Sequence, residues 1–213
     1  MIKKDIQQLK EEVKRLKKEL AISQLERQKF QRLAEYDFLT GIYNRHGFVR
    51  ETERFLHELK AGRYYKQKRR AMTVKNVSII FVDMDDLKKM NDALGHDKGD
   101  RYIQAVAKVL VKQVRDIDVV GRWGGDEFVV ALINALGDEP VNVANKLRDK
   151  IAKIRLANNC KGSASFGVIS AIDSSGRARY GLLDLIEKAD KAMYEAKVKH
   201  RKGVVVSFSD SME

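Results

Sequence analysis

A short turn between two apolar runs places the tightest constraint on how this chain can fold. The runs 119–120 and 128–130 are β-branched or aromatic, and they flank the pair Gly124-Gly125. Adjacent glycines supply the positive φ of a two-residue hairpin turn, so the pattern predicts two antiparallel strands. Asp126 and Glu127 follow the glycines directly, and two adjacent acids at the head of an apolar strand do not stabilise a sheet. The turn is therefore the first place to expect a functional site.

Composition and charge limit the class of protein. The chain has 213 residues, of which 44% are hydrophobic, and a formal net charge of +12. This length predicts one domain with an appendage, and the charge suits nucleic acid, an acidic membrane, a phosphorylated small molecule or plain solvent. A lone cysteine, Cys160, excludes an internal disulfide framework and, with only four histidines, argues against a Cys/His zinc site. Because no apolar run reaches the roughly 18 residues of a membrane span, we expect a cytoplasmic protein without a membrane segment.

Residues 1–36 carry a heptad pattern. Apolar residues alternate at spacings of four and three, with Lys, Glu and Gln between them: Ile2, Ile6, Leu9, Val13, Leu16 and Leu20. The seam weakens over 23–27 and returns at Phe30 and Ala34. A helix this polar with so narrow a stripe is typical of a coiled coil rather than of a helix lying on its own domain. We predict a parallel coiled-coil homodimer through 1–36, a dimerisation and signalling helix, and a globular domain over 37–213.

Residues 60–75 are basic and contain no acid, with Tyr64-Tyr65 between the cations. Basic residues interleaved with aromatic rings occur in proteins that bind nucleic acid or lipid head groups. No recognisable binding motif accompanies them, so we expect a solvated loop or helix end here and no nucleic-acid partner.

The rest of the chain alternates between strand-like and helix-like patterns. Strands are expected over 77–82, 163–171 and 204–208, and helices over 48–59, 87–94, 102–114, 140–156 and 182–199. A glycine-bracketed loop is expected over 95–100, with Asp100 capping the next helix. Interleaved strands and helices with one tight hairpin predict an α/β or α+β fold, in which helices flank a mostly antiparallel central sheet.

Two groups of acids stand at strand ends in this scheme. Asp83, Asp85 and Asp86 follow the strand 77–82, and the acids of the 124–128 turn begin another strand. The helical segment between the groups is long enough to return the second strand beside the first. Converging carboxylates repel one another unless a cation lies between them, and oxygen donors without His or Cys favour Mg²⁺ or Mn²⁺.

Two basic residues near the end of the last helix have the spacing of an anion site. Lys197 and Arg201 lie four residues apart, so both side chains reach one face of a helix. Taken alone they would equally complement the negative end of the helix dipole.

These residues lie in motifs that resemble the GGDEF family of bacterial diguanylate cyclases, which condense two GTP molecules into cyclic di-GMP. Arg122-Trp123 precedes the signature at 124–128, and further blocks follow in the family's order and spacing. These blocks are Asp37-x-Leu39-Thr40-Gly41-x-x-Asn44-Arg45, Asp83-x-Asp85, Lys88-x-x-Asn91-Asp92, Gly95-His96-x-x-Gly99-Asp100, Ser165-Phe166-Gly167 and Ala189-Asp190-x-Ala192-Met193-Tyr194-x-Ala196-Lys197. The resemblance extends from about residue 35 to the end and implies a fold like that of nucleotidyl cyclases and polymerase palm domains.

The resemblance implies a metal site and a catalytic group. Two divalent cations, Mg²⁺ or Mn²⁺, would be bound by the carboxylates of Asp83, Asp126 and Glu127 and by the backbone carbonyl of Met84. Asp126 and Glu127 are the implied catalytic residues, with Asp126 as proton acceptor from the 3′-hydroxyl. Activation of that hydroxyl by the metal alone is the alternative.

The resemblance also implies a GTP site. Asn91 and Asp100 would read guanine, because a carboxylate accepts from both guanine N1–H and N2–H, whereas adenine lacks this arrangement. The implied phosphate contacts are the backbone amides of Leu87 and Lys88, close approach of Gly125, and the side chains of Lys197 and Arg201. Two positions depart from the family's pattern: Leu87 stands where Phe is common, and His200-Arg201-Lys202 replaces Gly-Arg-Asn.

Arg115 and Asp118 have the spacing of the family's inhibitory site, which binds the product cyclic di-GMP; an ordinary surface ion pair is the alternative.

The implied function is a diguanylate cyclase that acts as a homodimer, because each domain would bind one GTP and two must face each other. The alternatives are a module that binds GTP or cyclic di-GMP without turnover, an enzyme making another cyclic dinucleotide, and a basic coiled-coil protein that binds nucleic acid.

Overall fold

The computed structural model describes residues 2–62, 64–67, 70–155, 161–172, 176–199 and 202–212. In these ranges the helices are α1 (Ile2–Glu35), α2 (Arg45–Ala61), α3 (Leu87–Leu94), α4 (His96–Gln113), α5 (Glu139–Ile151) and α6 (Leu182–Lys199), with a 3₁₀ turn at Asp210–Met212. The strands are β1 (Tyr43–Asn44), β2 (Tyr64–Gln67), β3 (Arg70–Thr73), β4 (Val77–Met84), β5 (Val119–Arg122), β6 (Glu127–Ile133), β7 (Ala164–Ser170) and β8 (Val205–Ser207).

A six-stranded sheet forms the centre of the described chain, in the order β1-β5-β6-β4-β7-β8. The three central pairings are antiparallel, and the edge strands β1 and β8 run parallel to their neighbours. The predicted α/β class, with a mostly antiparallel sheet flanked by helices, is confirmed.

Two hydrophobic layers cover the two faces of this sheet. Ile80 and Val82 of β4 face a cluster built with α4 and α5. Ile79 and Phe81 of the same strand face a second cluster, built with α2 and α6. Because β4 is covered on both faces, its sequence is apolar, apart from Ser78, until the acid at its end.

The glycine-bracketed segment 95–100 is helical rather than a loop, so that part of the sequence prediction is wrong. Gly95, with φ 84° and ψ 157°, ends α3, and α4 begins at the next residue. Asp100 therefore lies inside α4 and does not cap it. Gly99 is needed for close helix packing, because the Asn91 side chain of α3 occupies the space where a Cβ would lie.

The basic stretch 60–75 also differs from the prediction of a loop or helix end. Helix α2 ends at Ala61, and Gly62 follows in the left-handed conformation with φ 62°. β2 and β3 then form an antiparallel hairpin in which Tyr64 pairs with Thr73. The run of cations predicts a solvated loop, but Tyr and Thr favour strands, and this local preference agrees with the hairpin that forms. Residues 63, 68 and 69 lie outside the described ranges.

Helix α1 is continuous over the predicted heptads, and its seam is open to solvent. Leu9, Val13, Leu16 and Leu20 are 48–63% exposed, so no part of the described chain covers them. The end of the helix is fixed to the domain: Arg50 of α2 pairs with Glu35, and the Tyr36 and Tyr43 rings stack with centroids 4.7 Å apart. None of the helices within the described ranges combines the length and the apolar character needed to cross a membrane.

Candidate functional site

The Gly124-Gly125 turn joins β5 to β6 with a wider loop than predicted. Arg122 pairs with Phe128, and the Trp123 amide donates to the Glu127 carbonyl at 2.8 Å, which leaves residues 124–126 as the loop. Neither glycine has positive φ. The prediction of a two-residue turn with left-handed glycines is therefore wrong, although the antiparallel hairpin itself is confirmed.

The wider loop is held in shape by the Arg122 guanidinium. Its Nε donates to the Gly124 carbonyl at 3.1 Å and its Nη2 to the Gly125 carbonyl at 2.8 Å. Its Nη1 pairs with Asp37 at 3.1 Å, and Asp37 also accepts from the amide and hydroxyl of Thr40. Burial alone would raise the pKa of Asp37, but the Thr40 hydrogen bonds and Arg122 outweigh it and lower that pKa. The loop is thus tied to the segment that follows α1.

The two glycines have different reasons to be glycine. A Cβ on Gly124 would lie 2.5 Å from Glu127 Oε2, so its absence makes room for that carboxylate. A Cβ on Gly125 would meet no atom within 4 Å, and the residue is exposed. Gly125, predicted to contact substrate, therefore presents an open stretch of backbone.

Asp83, from the first predicted group of acids, meets the second group where the two central strands β4 and β6 come together at their ends. Asp83 of β4 lies directly opposite Glu127 of β6, and the Met84 amide donates to the Asp126 carbonyl at 3.0 Å. Burial raises the pKa of both Asp83 and Glu127. The charge of Asp126 raises both further, and Asp83 and Asp190 add to the rise at Glu127. The carboxylates therefore repel one another, as predicted from the sequence.

Lys197 supplies the cation at this cluster in the structure. Its Nζ, carried by α6, lies 2.5 Å from Asp83 Oδ1, and this contact partly opposes the rise in the pKa of Asp83. The structure therefore places the predicted phosphate ligand next to the predicted metal ligand. Arg201, the other predicted phosphate contact, lies outside the described residues.

The donors at the cluster fit a hard divalent cation in their chemistry. The three carboxylates of Asp83, Asp126 and Glu127 and the Met84 carbonyl offer oxygen only, which suits Mg²⁺ or Mn²⁺. Across the described ranges, no three Asp, Glu, His or Cys side chains lie close enough together to hold an ion. The acids are thus neighbours in the fold whose side chains do not converge on one point.

The start of α3 provides the predicted backbone contacts. Asp86, in the left-handed region with φ 58°, turns the chain after β4, and its side chain does not cap the helix. The first-turn amides of a helix have no acceptor within it, so those of Leu87 and Lys88 can bind an anion. The Leu87 side chain is buried in the core, which is the packing role expected of an apolar residue at this position.

The predicted guanine contacts lie on two packed helices. Asn91 belongs to α3 and Asp100, which is exposed, belongs to α4. Asn91 Oδ1 is buried and has no hydrogen-bond partner among the described residues. An unpaired buried acceptor costs free energy, and a donor such as a guanine N–H would satisfy it.

Arg115 and Asp118 form more than a surface ion pair. The Asp118 side chain is 1% exposed and accepts from the Arg115 amide and from the Ile133 amide, both at 2.9 Å. Arg115, half-exposed, also donates to the Ile133 carbonyl at 2.8 Å. The pair lines a cavity of about 440 Å³ that Tyr36 and Tyr43 also line. Asp118 is thus a structural anchor, and Arg115 faces an open cavity.

Asp37 and Arg122 shape this site, although the sequence pattern predicts no role for either residue. Asp37 and Arg122 were both part of quoted motifs, but 85 positions separate them and nothing in the sequence pairs them. Asp85 was grouped with the metal-binding acids, whereas its carboxylate turns to the hydroxyls of Ser163 and Ser165. The sequence signal for this contact was the pair of serines, Ser163 and Ser165, at the start of the strand that lies beside the acids.

Comparison with known proteins gives a family match over most of the chain. The family model described as diguanylate cyclase, GGDEF domain, matches residues 34–203. The chain is 33% identical over 192 residues to the diguanylate cyclase VdcA of Vibrio cholerae, covering 87% of this chain and 49% of VdcA. It is 32% identical over 181 residues to the uncharacterized protein YhcK of Bacillus subtilis, covering 84% and 46%. The chain spans about half the length of these relatives.

Among solved structures, the coiled coil and GGDEF domain of DgcB from Caulobacter crescentus in complex with c-di-GMP has the same fold. The TM-score is 0.76 at 21% identity, and the match covers 93% of this chain and 98% of that one. The similarity includes the long helix that precedes the domain.

Replacing Glu127 with Gln should stabilise the protein in EDTA. The folded-state pKa of Glu127 is raised, so its ionised form opposes folding at neutral pH, and this cost disappears as the pH falls through the raised pKa. We expect E127Q to raise Tm by about 1–3 °C at pH 7.5, with a smaller difference toward pH 5, in calorimetry.

The exposed Glu53 provides the control, and E53Q should leave Tm unchanged. Added MgCl₂ should then raise Tm more in the wild type than in E127Q. A lower Tm for E127Q in EDTA at pH 7.5 would contradict the repulsion described here.

Proposed function

This chain belongs to the GGDEF family of diguanylate cyclase domains, and on that premise we propose that it condenses two GTP molecules into cyclic di-GMP and pyrophosphate. The observation that carries the proposal is the position of Asp83 directly opposite Glu127, with Asp126 beside them. Adjacent acids that repel one another suit a site for divalent cations and a triphosphate, and a module that bound only cyclic di-GMP would have no need of them.

Each domain contributes one GTP to the reaction. The 3′-oxygen of one GTP attacks the α-phosphorus of the other, the bond to the β-phosphate breaks, and pyrophosphate leaves; the second ester forms in the same way. Asp126 accepts the proton of the attacking hydroxyl. Asp83, Asp126, Glu127 and the Met84 carbonyl would hold divalent cations, which when bound would activate the hydroxyl and stabilise the charge of the leaving pyrophosphate.

The phosphate contacts come from three elements around the ends of β4 and β6: the start of α3, the loop that contains Gly125, and α6. The Leu87 and Lys88 amides face the phosphates at the start of α3, and Gly125 allows the backbone to approach closely. Lys197 leaves Asp83 and binds a phosphate oxygen when nucleotide and cation enter. Arg201 would complete this set four residues farther along the chain.

Asn91 and Asp100 select guanine. The unpaired Asn91 Oδ1 and the exposed Asp100 carboxylate provide acceptors for the N–H donors of guanine. Adenine has no donors in that arrangement, so ATP would leave these acceptors unpaired. This contrast supports GTP as the substrate and cyclic di-GMP, rather than another cyclic dinucleotide, as the product.

D126N separates an enzyme from a binding module. Incubation of the wild type with GTP and MgCl₂ should yield cyclic di-GMP, detected by chromatography with mass spectrometry. D126N should be slower by about 10²-fold or more, because it loses a proton acceptor and a metal ligand. Its affinity for GTP in EDTA should stay near that of the wild type. If the wild type binds GTP but forms no cyclic di-GMP, the binding-module alternative replaces the enzyme.

Dimerisation through α1 would bring two half-sites together. The seam of α1 is exposed in the described chain, and the DgcB structure of the same fold includes a coiled coil. A paired helix raises the effective concentration of one domain at the other. Because Glu35 and Tyr36 contact the domain, substitutions in the seam are a cleaner test than removal of the helix.

The double variant L9K/L16K should weaken the coiled coil without disturbing the domain. Both leucines are exposed, so the charges introduced would meet no atom of the same chain's core. We expect specific activity to fall steeply on dilution, while GTP binding per chain stays unchanged. K14Q, off the seam, is the control. Equal specific activity of the double variant and wild type across a dilution series would refute a role for the seam.

Product inhibition would act through Arg115. Its guanidinium is half-exposed beside a cavity with two stacked tyrosines, a setting that suits a guanine dinucleotide. R115A should keep the initial rate and require about 10-fold more cyclic di-GMP for half-inhibition. R115K should need a concentration of cyclic di-GMP for half-inhibition that lies between those of the wild type and R115A. Unchanged inhibition in R115A would remove this residue from the proposal.

A further inference from the structure

Asp85 is a buried acid to which the proposed chemistry gives no role. It lies two residues after Asp83 and is only 7% exposed. Ser165 Oγ donates to its Oδ1 at 2.9 Å, and Ser163 Oγ donates to its Oδ2. Burying a carboxylate is costly, and two neutral hydroxyls offset that cost only in part. A group of this kind in the core therefore calls for a function.

The hydrogen bonds around Asp85 reach three separate parts of the domain. Its amide donates to the Ser163 carbonyl at 3.0 Å. The Tyr102 hydroxyl of α4 donates to that carbonyl at 3.0 Å and accepts from the Ser163 amide at 2.8 Å. Ser165 Oγ accepts from the amide of Gly203, in the segment after α6, at 3.2 Å. The Asp85 carboxylate thus joins the end of β4 to Ser163 and Ser165, and through these two serines to α4 and to the chain beyond α6.

These are the parts that carry the proposed ligands. β4 ends with the metal ligands, α4 carries the guanine contact, and α6 carries Lys197. Asp85 also lies between Asp83 and the first amide of α3, separated from that amide only by Asp86 in its left-handed conformation. Any movement of the Asp85 backbone changes the distance between the metal ligands and the phosphate-binding amides.

We propose that Asp85 is a positioning residue for nucleotidyl transfer, a role that rests on the proposed function. It holds the Asp83 carboxylate and the amides of Leu87 and Lys88 at a fixed separation, so that cation and triphosphate meet correctly. Both of its carboxylate oxygens are bonded to serine hydroxyls, which distinguishes it from the neighbouring ligands. It contacts neither substrate nor cation.

D85A tests this role by kinetics. We expect kcat to fall about 10–100-fold, the range typical of residues that orient metal ligands, with a smaller change in KM for GTP. The Mg²⁺ concentration for half-maximal activity should rise. D85N keeps one acceptor oxygen and should recover part of the rate, and S163A/S165A should reproduce the loss of D85A.

Ser170 provides a matched control. Its hydroxyl bonds to Ser78 at 2.9 Å at the opposite end of the same strand pair, so S170A removes a comparable hydrogen bond far from the site. S170A should keep the wild-type kcat and Mg²⁺ dependence. If D85A does not fold, comparison of S165A with S170A tests the same proposal.

A binding measurement gives a readout that does not depend on turnover. The affinity for a fluorescent GTP analogue is measured in EDTA and in MgCl₂; D85A should match the wild type in EDTA and lose most of the gain from Mg²⁺. If the wild type makes no cyclic di-GMP, the proposed function fails, and this comparison still tests Asp85.

Two results would overturn the proposal. A D85A protein with lower Tm but wild-type kcat, Mg²⁺ dependence and Mg²⁺-dependent affinity would make Asp85 purely structural. A D85N protein as inactive as D83N, alongside a fully active S163A/S165A, would make Asp85 a direct metal ligand.

Discussion

The register between β4 and β6 is the constraint on which the rest of the site depends. Ile80 pairs with Val130 on one face of the sheet and Phe81 pairs with Val129 on the other, so apolar side chains on both faces fix the alignment. A slip of one residue would turn every buried side chain to the other face, which the core on each side prevents. The same alignment places Asp83 opposite Glu127, where their charges repel. The core therefore imposes a juxtaposition that the carboxylates alone would avoid.

The Arg122 guanidinium extends this constraint to the rest of the molecule. It shapes the loop through two carbonyls and pairs with Asp37, two residues beyond the last residue of α1. Glu35 and Tyr36 fix the same junction to the domain. A change in the direction of α1 thus acts on residues bonded directly to the loop that carries Asp126. The Arg122–Asp37 pair is therefore a short physical connection between the end of α1 and the loop that carries Asp126.

The sequence was sufficient to predict most of the helices and the central strands, but not the β2–β3 hairpin or the exact use of its glycines and acids. The helical periodicity of apolar residues predicted α3 at 87–94 and α6 at 182–199 correctly, because the local sequence pattern and the packing of the core agree there. The glycine pattern predicts turns at Gly99 and Gly124, whereas Gly99 makes room for the Asn91 side chain of the preceding helix and Gly124 makes room for the Glu127 carboxylate. Such contacts depend on tertiary geometry, which local pattern does not contain. The partners of Asp85 and Arg122 were missed for the same reason.

The pairing of Lys197 with Asp83 links the two ligands of the proposed site. A cation that entered alone would compete with the ammonium for Asp83 and leave Lys197 without its partner. A nucleotide that drew Lys197 away alone would leave the buried Asp83 carboxylate unpaired among other acids, which is costly. In the proposed function, entry of both would pair Asp83 with the cation and Lys197 with a phosphate, so every charge would have a partner. Binding of either ligand would then favour binding of the other, and by linkage the effect would be equal in both directions.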